Sequence, residues 1–351
     1  MSIRPDMIVL ARESRGLTQS ELARKVKISP AMMSRIEGGV RGVSDEILGR
    51  LARALDYPHE FFSQPESIIG FGTSELFHRR QQAVSQRSLA RIHANINIRR
   101  IHIARLMRGA EMPPLNIPEI EMEDYHGRIE DAAQAVRAWW NLPPGPIQNV
   151  TLLLENAGCL IVPFDFGSRK IEAISQWPPG MPPLIFVNPE SPGDRERLTL
   201  VHELAHLILH RHGPEPDMEG QAFLFASEFL MPEREIKPFL RELSLSKLAT
   251  LKSYWKMSMA ALLKRAEQLG TITQRQAKRF WLHMSKAGYR MREPAEVDVP
   301  WEEPSLYEEL IDVYRKDHRY EVAEFARTVT LHDHEAAHIY YHSQPRLRVV
   351  Q

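Results

Sequence analysis

The sequence is poor in cysteine, with a single one among 351 residues. A lone cysteine can form neither an internal disulfide nor a thiolate metal cluster, so both are excluded. Cys159 lies in the apolar run 158–162, a predicted buried strand, where we expect an inert core side chain. Net charge is also lacking, because 45 basic residues balance 45 acidic ones. The chain as a whole is therefore not a general binder of nucleic acid.

Long apolar runs are missing too. No run reaches the length of a membrane-spanning helix, and no secretory signal precedes the first helix. We therefore expect a cytoplasmic protein that has no membrane partner.

Acidic residues are absent between Glu75 and Glu111, whereas arginine recurs there. The arginines of this basic stretch are Arg79, Arg80, Arg87, Arg91, Arg99, Arg100, Arg105 and Arg108. The stretch either lies on DNA phosphates or is a helix face that packs against acidic parts of its own chain. The sequence alone favours neither interpretation.

The most informative feature that is present is the H-E-x-x-H pattern at 202–206, inside an apolar run that contains no helix breaker. Histidines four residues apart stand on one face of a helix, where both can bind a single Zn²⁺. Glu203 can then reach a water molecule beside the metal and accept its proton, because the metal raises the acidity of that water. The spacing predicts a zinc-dependent hydrolase.

A catalytic zinc needs a third protein ligand and an open fourth position. Positions 202, 206 and 210 span about 12 Å along a helix and cannot converge on one ion. His210 and His212 are therefore predicted to lie at the surface or to contact the ligands from outside. The segment 212–216 must turn the chain, so that a following helix can bring Glu219 back against the first one. Glu219 is the preferred third ligand, and three carboxylates remain rivals: Glu215, Asp217 and Glu228.

The same pattern occurs a second time, at 334–338. In a chain with 15 histidines, chance alone gives such a match roughly a few per cent of the time. No acidic residue follows His338, so no downstream carboxylate can complete a site there. We expect the second copy to be a solvated polar helix face.

A wider pattern surrounds the first copy. HELAH, followed by an E-x-x-A-x-x-F-A segment that ends in Leu-Met-Pro at 230–232, resembles the ImmA/IrrE family of metallopeptidases. The likeness runs from about Ile129 to Leu269. It implies Glu203 as the general base and a zinc ion on three ligands: His202, His206 and Glu219. The family usually has Asn or Asp four residues after the ligand glutamate. Phe223 stands there in this chain, which predicts that a hydrogen bond to a ligand histidine is missing.

Residues 5–62 form a second predicted unit of short helices with strong start signals. Thr18 and Glu21 make a capping box for a helix that reaches residue 26. Ser29 caps the next helix, and Pro30 occupies its first position. Two short helices joined by a tight turn are the helix-turn-helix plan.

The string LTQSELARKVKISPAMMSRIEGG closely resembles the phage-repressor-like (XRE-type) DNA-binding family. The resemblance implies a recognition helix at 30–37 that binds a double-stranded DNA operator, and we expect a homodimer. The implied DNA-binding residues are Gln19, Ser29, Ala31, Met32, Ser34 and Arg35. Lys27 replaces the glycine usual in the turn, which costs about 1 kcal/mol if its φ is positive. The alternative is a small helical domain for protein contacts.

The predicted fold class is α+β and mostly helical. It combines an N-terminal helix-turn-helix bundle, a zincin-like peptidase domain with a small sheet, and a helical C-terminal region. Short strands are expected at 160–163, 171–176 and 184–188, and Leu184–Val187 is either a substrate-pairing edge or an ordinary sheet strand. Five segments are predicted: a helix-turn-helix domain at 1–64, a basic helical linker at 65–122, the zinc peptidase domain at 123–242, a small helical bundle at 243–290 and a C-terminal helical tail at 291–351.

Together these features predict a DNA-binding transcriptional regulator that carries a zinc-dependent endopeptidase domain. Its expected substrate is a protein, either a helix-turn-helix repressor or the chain itself. Two alternatives stay open: a transcription factor whose peptidase-like domain is a non-catalytic sensor, and an antitoxin-like repressor. The intact Glu203 favours catalysis, whereas Phe223 favours the sensor.

Overall fold

The computed structural model describes residues 2–70, 85–210 and 217–341. The chain divides into two compact units. The first consists of Met1–Met112 together with Tyr307–Gln351, and the second is Pro113–Leu306. Among the described residues, no helix is both long and apolar enough to cross a membrane.

The N-terminal part of the first unit is a bundle of short helices. They are α1 (Pro5–Ser14), α2 (Gln19–Lys25), α3 (Pro30–Glu37), α4 (Asp45–Leu55) and α5 (Gln86–Leu106), with a 3-10 turn at His59–Ser63 between the last two. Thr18 and Glu21 form both hydrogen bonds of the predicted capping box, and the Ser29 hydroxyl accepts from the Met32 N–H, as predicted. Lys27 has a φ of 54°, so this turn does hold a left-handed residue where glycine is usual.

The second unit contains eight of the helices that we number here. They are α6 (Ile129–Trp139), α7 (Val150–Asn156), α8 (Gly193–Leu209), α9 (Met218–Leu230), α10 (Glu233–Ile236), α11 (Leu245–Trp255), α12 (Met259–Gln268) and α13 (Gln274–Lys286). The apolar faces of α8 and α9 lie in one core with α6, α7, α11 and α12. Ser258 caps α12 through the Ala261 N–H, as the sequence predicts.

A three-stranded sheet completes the second unit, with β1 (Leu160–Pro163), β2 (Ala173–Gln176) and β3 (Leu184–Val187) in the order β1-β3-β2. The central strand β3 runs parallel to β1 and antiparallel to β2. The expectation that this strand could be a substrate-pairing edge is wrong, because both of its sides are hydrogen-bonded to neighbouring strands. Cys159 is buried beside β1, and burial raises the pKa of its thiol to about 12, so it stays an inert core thiol as expected.

The chain returns to the first unit near its end, with α14 (Leu306–Asp312), α15 (Val322–Val329) and α16 (Asp333–Tyr340). Helix α15 packs against both α5 and α16. His102 of α5 meets the Tyr340 hydroxyl at 2.6 Å in a buried contact. The predicted C-terminal tail is therefore helical in these segments, and its α15 packs against α5.

Candidate metal centre and recognition helix

The first H-E-x-x-H pattern lies near the C-terminal end of α8, a 17-residue helix. His202 and His206 are one turn apart, and α9 packs against α8. His202 is only 9% exposed. The imidazoles therefore sit between two helices rather than in bulk solvent.

Helix α9 supplies the carboxylate. Asp217 adopts a left-handed conformation, with a φ of 58°, directly before the helix, and Glu219 lies in its first turn. Glu219 Oε2 is 3.2 Å from His202 Nε2, and Glu219 Oε1 is 3.4 Å from His206 Nε2. The two Nε2 atoms are 3.1 Å apart.

These separations fit a metal site. Two ligand atoms bound about 2.0–2.2 Å from one tetrahedral zinc lie about 3.3–3.6 Å from each other, close to the separations found here. In the part of the chain that the structure describes, this is the one group of three histidine, cysteine or acidic side chains with the spacing for a metal ion. Two imidazoles and one carboxylate are also the ligand set of many catalytic zinc sites.

The pKa values of Glu219 and His206 determine the charge of the cluster, whose ionised carboxylate can bind a cation. Burial would raise the pKa of Glu219, but hydrogen bonds with His202 and His206 outweigh it and hold that pKa at about 2. Burial would lower the pKa of His206, but its bond to Glu219 and the nearby charge of Glu203 raise it. The carboxylate is therefore ionised at neutral pH, and a metal ion must displace any proton held by the imidazoles.

Glu203 is buried, at 8% exposed, and its Oε2 accepts no hydrogen bond from any residue in the described ranges. A buried carboxylate oxygen without a protein donor is stable only where a water molecule or a ligand can bind it. Its charge acts on His206, which places it beside the ligand cluster. This is the position expected of a base.

The rival carboxylates have other places. Glu228 forms a buried ion pair with Arg265 and accepts a hydrogen bond of 2.5 Å from the Gln134 amide. It is therefore an ion-pair partner and not a candidate metal ligand. Asp217 lies outside the three-residue cluster. Glu215 and His212 fall outside the described residues.

Two residues contact the ligand histidines from outside the cluster. His210 ends α8 as its C-cap residue, is buried, and meets His206 through their Nδ1 atoms at 2.9 Å. The sequence had left it either at the surface or against the ligands, and it is against a ligand. The Phe223 ring lies 4.3 Å from the His202 ring, and the Nδ1 of His202 has no hydrogen-bond partner among the described residues. The hydrogen bond expected to be missing at position 223 is indeed missing.

The second H-E-x-x-H pattern, on α16, has different surroundings. Glu335 binds Arg15 with both carboxylate oxygens, at 2.7 and 2.8 Å. The His334 side chain is 67% exposed and lies 3.0 Å from Asp56. His338 is exposed. Within the ranges that the structure describes, no third ligand joins these histidines.

The helix-turn-helix presents α3 to solvent. Met33 and Ile36 are fully buried, whereas Ser29, Ala31, Ser34 and Arg35 are exposed and Met32 is half-buried. Gln19 is held to the end of α3, because its amide donates to Glu37 Oε2 at 2.8 Å. The exposed face of α3 therefore consists of Pro30, Ala31, Ser34 and Arg35, and the hydrogen bond to Glu37 holds Gln19 beside it.

Most described arginines of the basic stretch bind partners in the first unit. Arg87 forms a 3.0 Å ion pair with Glu21, and Arg105 forms a bidentate pair with Glu66, both contacts at 2.9 Å. Arg100 is buried, and Arg99 donates to the Tyr307 hydroxyl at 2.8 Å. The interpretation that this helix packs against its own chain is favoured; Arg79 and Arg80 lie outside the described residues.

Comparisons with known families agree with both parts. Residues 154–267 match the family model of peptidase family M78, described as the IrrE N-terminal-like domain. Residues 8–62 match a helix-turn-helix family model. No curated protein matches the chain. The predicted fusion is confirmed: a helix-turn-helix of the kind found in DNA-binding regulators precedes a metallopeptidase-like domain. The match at 154–267 spans all four residues of the candidate metal centre.

Sequence reasoning did not anticipate Gln221, which contacts His210. Its only signal was its place two residues after Glu219, in the first turn of α9.

Proposed function

We propose that this chain is a DNA-binding transcriptional regulator whose second unit is a zinc-dependent endopeptidase, and that it cleaves a helix-turn-helix repressor, either a partner or itself. Zinc would be held by His202, His206 and Glu219, with the fourth position left for the reaction. The observation that carries the proposal is Glu203. A domain that merely bound metal would gain nothing from a buried carboxylate oxygen without a protein partner beside the ligands.

The residues divide the work of peptide hydrolysis. Bound zinc would polarise the scissile carbonyl and increase the acidity of the attacking water. Glu203 takes the proton of that water as it attacks, and passes it to the leaving amine. The pKa of Glu219, at about 2, makes its carboxylate a weak proton acceptor, so it stays ionised as a metal ligand. Glu203 is buried and its Oε2 has no protein donor among the described residues, so this oxygen is available to bind the attacking water.

An extended substrate fits the edge strand β2. Among the described strands, β1 and β2 each pair on one side only, and β2 is the edge that packs against α8. The Glu172 carbonyl accepts from the Asn188 N–H, so alternate residues from 172 point their backbone groups toward β3. Ala173 and Ser175 therefore direct their backbone N–H and C=O groups outward, where a substrate strand can pair.

Ser175→Pro tests this edge, because proline is tolerated where the lost N–H points away from the sheet. The variant should hold its metal and cleave more slowly, through a higher KM. Unchanged KM and kcat would place the substrate elsewhere.

Catalysis itself is tested with Glu203→Gln, which keeps the size of the side chain and removes the base. The matched control is Glu335→Gln, the same change at the same place in the second pattern. Wild type, both variants and an empty vector are expressed in the native host, and helix-turn-helix regulators are analysed by mass spectrometry for truncated forms. We expect fragments from wild type and Glu335→Gln only, with equal zinc in all three proteins. Identical fragments and identical transcription in the wild-type and Glu203→Gln strains would replace the peptidase by a non-catalytic sensor.

Operator binding is tested on the full chain. Arg35→Ala removes an exposed cation from the recognition helix, and Arg53→Ala removes an exposed cation from α4 as a control for charge. We expect binding of a two-fold-related site by a dimer, a steep loss of affinity with salt, and a larger loss for Arg35→Ala than for Arg53→Ala. Equal affinity for unrelated duplexes at physiological salt would contradict a specific regulator.

A further inference from the structure

The two ligand histidines differ in what lies behind them. Behind His206 stands His210, and behind His210 stands Gln221: the Nδ1 atoms of the histidines are 2.9 Å apart, and His210 Nε2 is 2.8 Å from Gln221 Oε1. Behind His202 stands the ring of Phe223. One ligand therefore has a chain of polar partners, and the other has an apolar cover.

Only one arrangement of protons completes the hydrogen bonds from His206 through His210 to Gln221 and leaves His206 able to bind a metal ion. His206 Nε2 faces the other ligands, at 3.1 Å from His202 and 3.4 Å from Glu219, so it must be unprotonated to bind an ion. The neutral imidazole then carries its proton on Nδ1 and donates to Nδ1 of His210. His210 in turn carries its proton on Nε2 and donates to the Gln221 carbonyl oxygen. In each of the two contacts one partner then donates and the other accepts, so neither contact has two protons or none.

The backbone explains why His210 can do this although it is no ligand. It is the C-cap of α8, with φ and ψ of −112° and 26°, so its ring need not continue the straight row of positions 202 and 206. His210 is 6% exposed, which limits competition from solvent for its hydrogen bond with His206. Gln221 lies in the first turn of α9 with Glu219, so α9 supplies a metal ligand and the end of the chain together.

We propose that His210 and Gln221 are positioning residues for the metal: they fix the tautomer and the ring orientation of His206. The proposal rests on the proposed metal site. An outer hydrogen bond of this kind typically contributes about 10- to 100-fold to metal affinity.

The test is the zinc affinity of the purified full-length chain, measured by competition with a chromophoric chelator. The variants are His210→Ala, His210→Asn, Gln221→Ala and the control His338→Ala. Asparagine retains a carbonyl oxygen near the place of Nδ1, so it can still accept from His206. We expect about 10- to 100-fold weaker binding for His210→Ala. Gln221→Ala should lose less, because His210 can still accept, His210→Asn should regain most of the affinity, and His338→Ala should match wild type.

A second readout separates positioning from a general loss of structure. The metal-free variants should unfold at the same temperature as the metal-free wild type, and the visible spectrum of Co²⁺-loaded His210→Ala should shift, whereas that of His210→Asn should stay close to wild type. Equal zinc affinity in wild type, His210→Ala and Gln221→Ala would overturn the positioning role and leave the metal site standing. A wild-type chain that binds no zinc would overturn both.

Discussion

The chain carries the pattern H-E-x-x-H twice, on α8 and on α16, and the two copies lie in different surroundings. On α8 both histidines face a carboxylate from the neighbouring helix α9, and Glu203 is buried without a protein donor on one oxygen. On α16 the glutamate is bound by Arg15, and His334 is largely exposed. Helical spacing places two histidines one turn apart in either case. What differs is burial and a third ligand, which only the packing of a second helix can supply.

The largest expected effect is the loss of zinc affinity when the third ligand of the first copy is removed. Glu219→Ala removes the carboxylate that joins the histidines, so zinc affinity should fall by more than the 10- to 100-fold that outer partners contribute. Metal content after gel filtration, measured by mass spectrometry, gives the answer. Full retention of zinc would move the third ligand to another carboxylate, such as Asp217.

The next effect compares how firmly each motif helix is anchored. Arg197, near the start of α8, is buried with Glu302, and Glu196 lies beside them. Arg197→Ala leaves the buried Glu302 carboxylate without its cation and should destabilise folding by about 3–5 kcal/mol. Glu335→Ala breaks a partly exposed pair on α16 and should cost about 1 kcal/mol or less. Urea unfolding measures both, and Arg195→Ala, an exposed neighbour, is the control within α8. Similar losses for Arg197→Ala and Glu335→Ala would contradict this account.

The same buried network predicts a dependence on pH. Burial raises the pKa of Glu196 to about 8, well above its ordinary 4.5. The folded state therefore favours the protonated acid, and this stabilisation is complete below pH 4.5 and is lost as pH rises toward 8. Compared with Glu196→Gln, wild type should lose at most about 1.4 kcal/mol for each pH unit across that range. Parallel stability curves for the two proteins between pH 5 and 8 would show that Glu196 is ionised throughout.

The smallest effect sharpens the difference between the two ligands. Phe223→Asn offers His202 the outer acceptor that Phe223 does not, and should raise zinc affinity by up to about tenfold. Phe223→Ala is the control, since it removes the ring without adding an acceptor. Phe223 is 48% exposed, so neither change should cost much stability. A gain in Phe223→Ala equal to that in Phe223→Asn would assign the effect to access rather than to hydrogen bonding.

Local signals in the sequence predicted much of the helix-turn-helix and of the candidate metal centre. The caps at Thr18 and Ser29, the ends of α3 and the spacing of the histidines depend on neighbours within a few residues, and the structure agrees with them. The choice of Glu219 needed only a turn and a returning helix.

Long-range pairing could not be predicted in the same way. Arg15 and Glu335 are 320 residues apart, and no local pattern indicates that they meet. Strand β3 has the sequence of any buried strand, so its central place appears only when both neighbours are known. His210 and Gln221 needed the exact course of two helix ends.

The most direct test of the account is the zinc content of three purified full-length proteins: wild type, His206→Ala and His338→Ala. Each substitution removes the last histidine of one copy of the pattern. The account predicts about one zinc per chain in wild type and in His338→Ala, and none in His206→Ala. Zinc that persists in His206→Ala, or disappears from His338→Ala, would contradict the assignment of the metal to α8.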